Sequence, residues 1–270
     1  MPANRSAPVV VGGTGGSGTR LLAALLRAAG VHLGTNVNRA EDTLAFRPFN
    51  RKWIVPYLQH REGQLHALDG AAMAADFQTC LADHGADLPS HPRPWGWKRP
   101  ETIYVLPFLH QQLPQVLFIH IVRDGLDMAF SSNQNDLLRY GHVLLGHGYD
   151  HEPEPLRSLR LWMKANTAAA DFAERRLGPR YLRLHYEALC ARPVETAAAL
   201  FEFLDLKANP KLAASLVTDT GTRGRWRRQG DPELLFRLLQ VGRPALQRFG
   251  YWEESSYREF SSRLGPGQRA

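Results

Sequence analysis

Residues 12–18, GGTGGSG, combine five glycines with one threonine and one serine. They follow the apolar run Val9–Val11 and precede a segment rich in leucine and alanine, so the pattern predicts a strand, a turn and a helix. Glycine leaves room for a ligand to approach the backbone and adopts positive φ without strain. We therefore expect the N–H groups of Gly15–Thr19 to converge on one anion, with hydroxyl donors from Ser17 and Thr19.

Other interpretations of this glycine loop are weaker. The phosphate loop of NTPases reads G-x-x-x-x-G-K-[ST], and Gly13 and Gly18 have that separation. However, Thr19 stands where the lysine is required, and that lysine holds the β- and γ-phosphates. A dinucleotide-binding pattern can also be read over 13–18, but a lone G-x-G-x-x-G has little specificity. A tight turn without a ligand is the remaining alternative, and the flanking strand and helix favour the anion site.

A second group suited to anions lies after the most apolar strand of the chain. Arg123 follows the run Val116–Val122, and Ser131 comes eight residues later, about two turns into a predicted helix. Ligands of open α/β sheets bind at the carboxyl ends of the strands, so Arg123 is expected on the same edge as the glycine loop. A guanidinium with a nearby hydroxyl suits a phosphate monoester. Two such groups on one edge indicate a nucleotide with phosphates at both ends.

The elements that must position these groups alternate between strand and helix, which favours an α/β fold of three layers with a central parallel sheet flanked by helices. A short strand at Val31–Leu33 and another at Trp95–Lys98 are also predicted. The whole chain, 1–270, is interpreted as a single domain. It is expected to carry a helical insertion at about 43–94, which ends in a proline-rich loop at Leu88–Pro94, and a loop or lid at about 139–156. One further strand is predicted at Arg180–His185. Further helices are predicted at Ser17–Ala29, Gly125–Leu138, Arg157–Leu177 and Pro193–Leu204.

Composition narrows the class of protein without identifying a ligand. Hydrophobic residues make up 44% of the chain, enough for a full core, and the net charge of +7 favours anionic ligands. Two cysteines, Cys80 and Cys190, predict neither a disulfide framework nor a metal site. The early apolar run is too short for a signal peptide or a membrane span, so a cytoplasmic protein without a membrane span is expected.

The glycine loop and the arginine segment together resemble the sulfotransferase superfamily, which uses 3′-phosphoadenosine 5′-phosphosulfate (PAPS). The two motifs read GGTGGSGTRLL and FIHIVRDGLDMAFSS. The resemblance implies a P-loop-like fold in which Gly15, Gly16, Ser17, Gly18 and Thr19 bind the 5′-phosphosulfate. It also implies that Arg123 and Ser131 bind the 3′-phosphate, and that adenosine 3′,5′-bisphosphate (PAP) is the product.

Three further segments extend this resemblance to about residue 230. WGWKRP at 95–100 is similar to the Lys-x-Pro segment of tyrosylprotein and heparan-type members, so Lys98 is expected to assist sulfuryl transfer. LRLHYEAL at 182–189 implies that Tyr186 lies near the adenine. GRWRR at 224–228 is similar to a basic loop that closes over the nucleotide, which implies nucleotide contacts for Arg225 and Trp226.

The chain departs from the superfamily pattern at two places. Many members carry lysine or arginine where this chain has Gly16, which leaves Arg20 and Lys98 as the candidates to supply the missing cation. Cytosolic members carry a catalytic histidine beside the lysine of the third strand, and no histidine stands beside Lys98. This chain is therefore closer to the tyrosylprotein and heparan-type members.

Those members place a catalytic glutamate in the region that here reads NVNRAEDTLAF, where Glu41 and Asp42 both qualify as the base. Asp42 is preferred because it is expected to open the next helix close to the sheet edge. The alternative is that Asp42 only caps that helix. By analogy with phosphoryl transfer, the reaction is expected to be loose and in line, with positioning and electrostatics dominant and no metal required.

Two other functions compete with PAPS-dependent sulfuryl transfer. A small-molecule kinase would share the strand, loop and helix but lacks its lysine. A nucleic-acid binder would explain the net charge and the run RGRWRR, yet it leaves the glycine loop unexplained, so no nucleic-acid partner is expected. The acceptor, a small molecule or a peptide bearing a hydroxyl or an amine, stays open, as does the oligomeric state.

Overall fold

The computed structural model describes residues 7–88 and 94–263 of the chain. Most of the proline-rich loop predicted at Leu88–Pro94 lies outside these residues. Four strands form one sheet in the order β2-β1-β3-β4, and all neighbouring strands are parallel. The strands are β1 (Val9–Gly12), β2 (Gly96–Lys98), β3 (Leu117–Val122) and β4 (Tyr181–His185). The predicted α/β fold with a central parallel sheet is confirmed, whereas Val31–Leu33 contributes only an isolated bridge, between His32 and Trp95.

Helices cover both faces of the sheet, because the central strands are apolar on both sides. Val9 and Val11 of β1 pack into one core, and Val10 between them packs into the other. This alternation is what the period of two in a strand requires when both faces are buried. The three-layer arrangement follows from it.

Thirteen α-helices are found within residues 7–88 and 94–263, joined by short 3₁₀ turns. They are α1 (Thr19–Ala28), α2 (Arg47–Arg61), α3 (Gly70–Ala86), α4 (Leu106–Gln112), α5 (Gly125–Ala129), α6 (Asn135–Leu144), α7 (Glu154–Arg176), α8 (Tyr186–Ala191), α9 (Pro193–Phe203), α10 (Pro210–Ala214), α11 (Trp226–Gln229), α12 (Pro232–Arg248) and α13 (Glu254–Ser262). Helices α1 and α9 pack on one face of the sheet, and α2, α3, α4 and α7 pack on the other.

The single helix predicted over Gly125–Leu138 is wrong, because the chain leaves the helix after Ala129 and re-enters one at Asn135. The intervening residues are mostly serine, asparagine and glutamine, whose side chains compete for backbone hydrogen bonds. The side chain of Gln134 donates to the carbonyl of Ser131 at 2.8 Å. Ser131 therefore lies in a turn and not two turns into a helix.

The loop predicted at about 139–156 is also wrong in part, since residues 139–144 complete α6 and residues 154–156 begin α7. The missed signal is the helical spacing of Leu137, Tyr140 and Leu144, all of which are buried. Histidines and glycines near the end of this segment obscured that pattern.

Candidate active site

An open cavity of about 1040 Å³ lies at the carboxyl ends of the four strands. Each strand delivers part of its wall: Gly15 follows β1, Lys98 ends β2, Arg123 follows β3 and Tyr186 follows β4. Because the strands are parallel, these residues meet at one edge although they are distant in the sequence.

The glycine loop reaches this cavity in a conformation that other residues rarely adopt. Gly16 and Gly18 have φ values of 95° and 97°. A Cβ atom at Gly18 would lie 2.3 Å from Cδ2 of Tyr186, so the ring packs directly on the loop backbone. Gly18 precedes α1 and offers no side-chain cap, which leaves the first N–H groups of that helix facing the cavity.

Hydrogen bonds within the loop divide its N–H groups into two sets. The N–H of Gly15 donates to Asp136 at 2.8 Å, and the N–H of Ser17 donates to the carbonyl of Thr14 at 3.1 Å. Those of Gly16, Gly18 and Thr19 meet no acceptor among the residues that the structure describes. These three N–H groups are therefore available to a ligand in the cavity.

Ser17 does not take part in that set. Its hydroxyl donates to the carbonyl of Thr14 at 2.7 Å, and the residue is fully buried. The expectation that Ser17 presents its hydroxyl to an anion is therefore corrected, because the loop uses that hydroxyl to hold its own shape. Thr19 and Arg20 do line the cavity, and Arg20 is exposed to solvent.

Asp136, a residue that the sequence did not single out, approaches the glycine loop from α6. Its carboxylate accepts the N–H of Gly15 at 2.8 Å and the hydroxyl of Tyr104 at 2.9 Å. Burial raises the pKa of Asp136 to about 6, although the Gly15 hydrogen bond opposes this. The Asp136 side chain thus links the glycine loop to α6 and to Tyr104 at the cavity wall.

Arg123 lies beside the same loop. Its Nη1 is 3.5 Å from the carbonyl oxygen of Gly16, and its Nη2 donates to the carbonyl and the hydroxyl of Thr222 at 3.0 and 2.8 Å. The guanidinium stacks on the ring of Tyr186, 4.4 Å from the centroid. Arg123 is only 5% exposed, and its Nε has no hydrogen-bond partner within residues 7–88 and 94–263. The glycine loop and the predicted arginine therefore share one edge of the sheet.

Ser131 borders this edge from the turn after α5. Its Oγ lies 3.7 Å from the position of a Cβ atom at Gly16, and it accepts the N–H of Asn133 at 3.2 Å. The turn brings the hydroxyl to the loop without the helix that the sequence predicted.

Lys98 and Asp42 form the charged pair of the cavity. Their Nζ and Oδ1 atoms are 2.5 Å apart, and Nζ also donates to the carbonyl of Ala40 at 2.7 Å. The Lys98 side chain is 2% exposed, and burial lowers its pKa although Asp42 opposes the shift. Asp42 caps no helix here: Thr43 precedes the next 3₁₀ turn, and the Asp42 carboxylate also accepts from the Asn38 amide at 2.9 Å.

Glu41 points away from Lys98. Its carboxylate pairs with Nε of Arg27 at 3.1 Å, and its backbone has a φ of 64°. Unlike Asp42, Glu41 does not line the cavity. The two neighbouring acids thus have different surroundings, and only Asp42 meets the lysine.

Trp226, in the late basic loop, lies away from the cavity, contrary to expectation, whereas Arg225 does not line the cavity wall but shares the carbonyl of Thr222 with Arg123. Trp226 is 3% exposed and packs on Phe260 in a core, while Asp127 accepts the N–H of Trp226 at 3.3 Å. Nε of Arg225 donates to the carbonyl of Thr222 at 3.2 Å. Two threonines that precede this loop, Thr218 and Thr220, line the cavity instead. Oγ1 of Thr220 lies 3.2 Å from the hydroxyl oxygen of Tyr186.

No group of acids, histidines or cysteines within the described ranges 7–88 and 94–263 is arranged to hold a metal ion. Among those residues, no helix has the length and hydrophobicity to span a membrane.

The sequence profile of the sulfotransferase family matches residues 8–210. No protein with a curated description is similar enough in sequence to count as a relative. Among solved structures, a sulfotransferase from Mycobacterium avium aligns with a TM-score of 0.58 at 12% identity, over 93% of this chain and 79% of its own. The sulfotransferase domain of the Synechococcus PCC 7002 olefin synthase aligns with 0.55 at 15% identity, over 93% and 96% of the two chains.

A sulfotransferase from Alicyclobacillus acidocaldarius also aligns with a TM-score of 0.55 at 14% identity, over 94% of this chain and all of its own. At such low identity these likenesses show the fold, which is the P-loop-like arrangement that the resemblance implied. With the profile covering most of its length, the chain belongs to the sulfotransferase family.

Proposed function

We propose that this protein transfers a sulfuryl group from PAPS to a hydroxyl or amine of an acceptor and releases PAP. The observation that carries the proposal is the position of the Arg123 guanidinium beside Gly16. PAPS bears anionic groups at both the 3′ and the 5′ position of its ribose. An arginine and a glycine loop on one edge offer a separate donor group for each end.

The residues present fit such a ligand because they leave donors without acceptors, both in the accessible glycine loop and on the buried side chain of Arg123. The loop offers the N–H groups of Gly16, Gly18 and Thr19, and the buried Nε of Arg123 also lacks a partner within the described ranges. A buried donor without an acceptor costs about 1–3 kcal/mol, which an anion would recover. Tyr186, stacked on Arg123 and packed on Gly18, adds a ring to the same wall.

The bound donor would supply an activated sulfuryl group, and the chain would supply charge and a base. Lys98 is a buried ammonium at the end of β2, suited to stabilise negative charge that develops on the leaving phosphate oxygen. Asp42 is proposed as the base that accepts the acceptor's proton, since its carboxylate lines the cavity beside that lysine. Glu41 is disfavoured by its ion pair with Arg27.

The alternative of an ATP-dependent kinase has no observation in its favour. The chain belongs to the sulfotransferase family, and the loop carries Thr19 where a kinase needs lysine.

Calorimetry with PAP tests the donor, with ATP and magnesium as the control. Saturable binding of one PAP per chain is expected, with far weaker binding of ATP. Transfer of radiolabelled sulfur from PAPS to a panel of phenols, alcohols, sugars and tyrosine peptides then tests the reaction. Absence of PAP binding up to high micromolar concentration, or tighter binding of ATP, would refute the proposal.

A further inference from the structure

A smaller compartment of about 320 Å³ adjoins the main cavity, and we call it the arginine compartment. The polar and charged residues of its wall come from α2, from the segment after β2 and from α6. They are Arg47, Asn50, Arg51, Arg99, Glu101 and Arg139. The main cavity shares Arg47, Arg99, Glu101 and Arg139 with it, so the two spaces lie side by side.

The charges of the arginine compartment do not balance. Glu101 lies 3.0 Å from Nε of Arg99 and 3.2 Å from Nη1 of Arg139. Arg47 and Arg51 have no carboxylate partner among the residues that the structure describes. One carboxylate thus faces four guanidinium groups, which leaves an excess of positive charge in a concave space.

The wall of the compartment combines buried and exposed side chains: Arg99 and Asn50 are buried, whereas Arg47, Arg51 and Arg139 are exposed. Asn50 and Arg51 come three and four residues after Arg47, so both neighbour it on one face of α2. The Arg99 side chain is 7% exposed, and its Nη1 is 3.5 Å from the carbonyl oxygen of Thr43. Asn50 is 7% exposed, and its Nδ2 has no hydrogen-bond partner in the described part of the chain. A buried amide donor beside surplus guanidinium groups lacks an anionic oxygen.

We propose that the arginine compartment binds an anionic group carried by the acceptor, a carboxylate or a phosphate or sulfate ester. This inference rests on the proposed function, which places the acceptor's reacting group beside Asp42 and Lys98 in the adjoining cavity. The volume of about 320 Å³ holds one small group, so the acceptor class is a hydroxylated or aminated compound that carries an anionic group of this size.

The test uses the complex with PAP, so that the donor's own anions already occupy their site. Inorganic sulfate and acetate are titrated separately into this complex by calorimetry, which distinguishes a tetrahedral anion from a carboxylate. Three proteins are compared: the wild type, Arg51→Ala, and Arg237→Ala as a matched loss of one exposed charge on α12. Arg51→Lys, which keeps the charge, completes the series.

We expect at least one of the two anions to bind the wild type and Arg237→Ala alike. Arg51→Ala should weaken that binding at least tenfold, and Arg51→Lys should restore most of it. Anion affinity that is the same in Arg51→Ala and in the wild type, or absence of saturable binding in the millimolar range, overturns the assignment.

Competition then tests whether the site takes an organic anion of acceptor size. The probes are 4-hydroxybenzoate and its uncharged amide, each added to the complex with the anion that binds. Where acetate binds, displacement of acetate by the acid alone is expected, and failure of the acid to displace it overturns the proposal. Where only sulfate binds, failure of the acid to displace it assigns the site to a phosphate or sulfate ester. Should PAP itself not bind, the proposed function fails separately, and the same comparison of Arg51→Ala with Arg237→Ala on the ligand-free protein still decides the anion site.

Discussion

The donor end of the cavity, formed by the glycine loop, Arg123 and Tyr186, and the arginine compartment are the two places that we propose bind anions, and they are built differently. At the donor end Arg123 already contacts Gly16 and Thr222 and stacks on Tyr186. In the compartment the two α2 arginines extend from an exposed helix face without a carboxylate partner in the part of the chain that the structure describes. The donor end is thus rigid before a ligand binds, which suits one ligand of fixed shape.

The compartment relies on long side chains with several rotatable bonds, so it is suited to a charge whose carrier can vary in shape. Asp42 and Lys98 line the main cavity, which also contains the donor end and adjoins the arginine compartment. Substitutions at the donor end, at Asp42 and in the arginine compartment should therefore change different measured properties, and four experiments test whether they do.

The largest effect on sulfuryl transfer is expected from substitution of Asp42, which lines the main cavity. Asp42→Asn removes the proposed base, so sulfuryl transfer should fall by about 10²- to 10⁴-fold, whereas PAP affinity should change little. Glu41→Gln is the matched control, because Glu41 pairs with Arg27 away from the cavity, and it should keep most of the activity. Transfer of labelled sulfur and calorimetry with PAP measure the two effects. Normal turnover by Asp42→Asn would disprove the assignment of the base.

Arg123→Ala should act on the donor end alone. Loss of a charged contact to the ligand should weaken PAP by about 1.5–3 kcal/mol, roughly 10- to 100-fold, in a calorimetric titration. Arg237→Ala should leave PAP affinity unchanged, and Arg123→Lys should fall between them because it keeps the charge without the planar fork. If Arg123→Ala binds PAP as tightly as the wild type, the two-ended recognition of the nucleotide is wrong.

Gly18→Ala tests how rigid the donor end is. Gly18 and Gly30 both have positive φ, 97° and 88°, but a Cβ atom meets Tyr186 at 2.3 Å only at Gly18, and nothing lies within 4 Å at Gly30. Both substitutions strain the backbone, and Gly18→Ala should cost about 2 kcal/mol more in unfolding free energy and should also weaken PAP. Chemical denaturation compares the two variants. Equal stability of the two would mean that the ring of Tyr186 moves freely.

The smallest effect is the pH dependence contributed by Asp136. Its pKa in the folded protein is about 6, above the ordinary value of 3.8, so the folded state holds this proton more tightly than the unfolded state. The protonated carboxyl therefore stabilises the folded state fully below about pH 4, and this stabilisation is lost as the pH rises through about 6.

Asp136→Asn has no such proton, so its unfolding free energy relative to the wild type should rise by roughly 1–2 kcal/mol from pH 4 to 7. Denaturation of both proteins at several pH values measures that difference. A difference independent of pH would show that the carboxyl titrates normally and does not hold the loop as a partly neutral group.

Local backbone chemistry explains which parts of the site could be predicted from the sequence. The glycines at 15, 16 and 18 and the apolar run before them specify a strand, a left-handed turn and a helix within a few residues. Parallel strands then require Arg123 to emerge at the same edge, whatever the details of packing. By contrast, the indole of Trp226 lies in a core because Asp127, far away in the sequence, holds the backbone around it.

The sequence by itself therefore determined the sheet, the glycine loop and the edge at which the loop and Arg123 meet, because short-range patterns and strand direction specify them. Only the tertiary structure decided that Asp42 and not Glu41 meets Lys98, since a single residue of positive φ turns the two neighbours apart. It also brought Asp136 to the loop and gathered arginines from α2, α6 and residue 99 around one compartment. These contacts join positions tens of residues apart, and the direction of a side chain depends on packing that no short window of sequence contains.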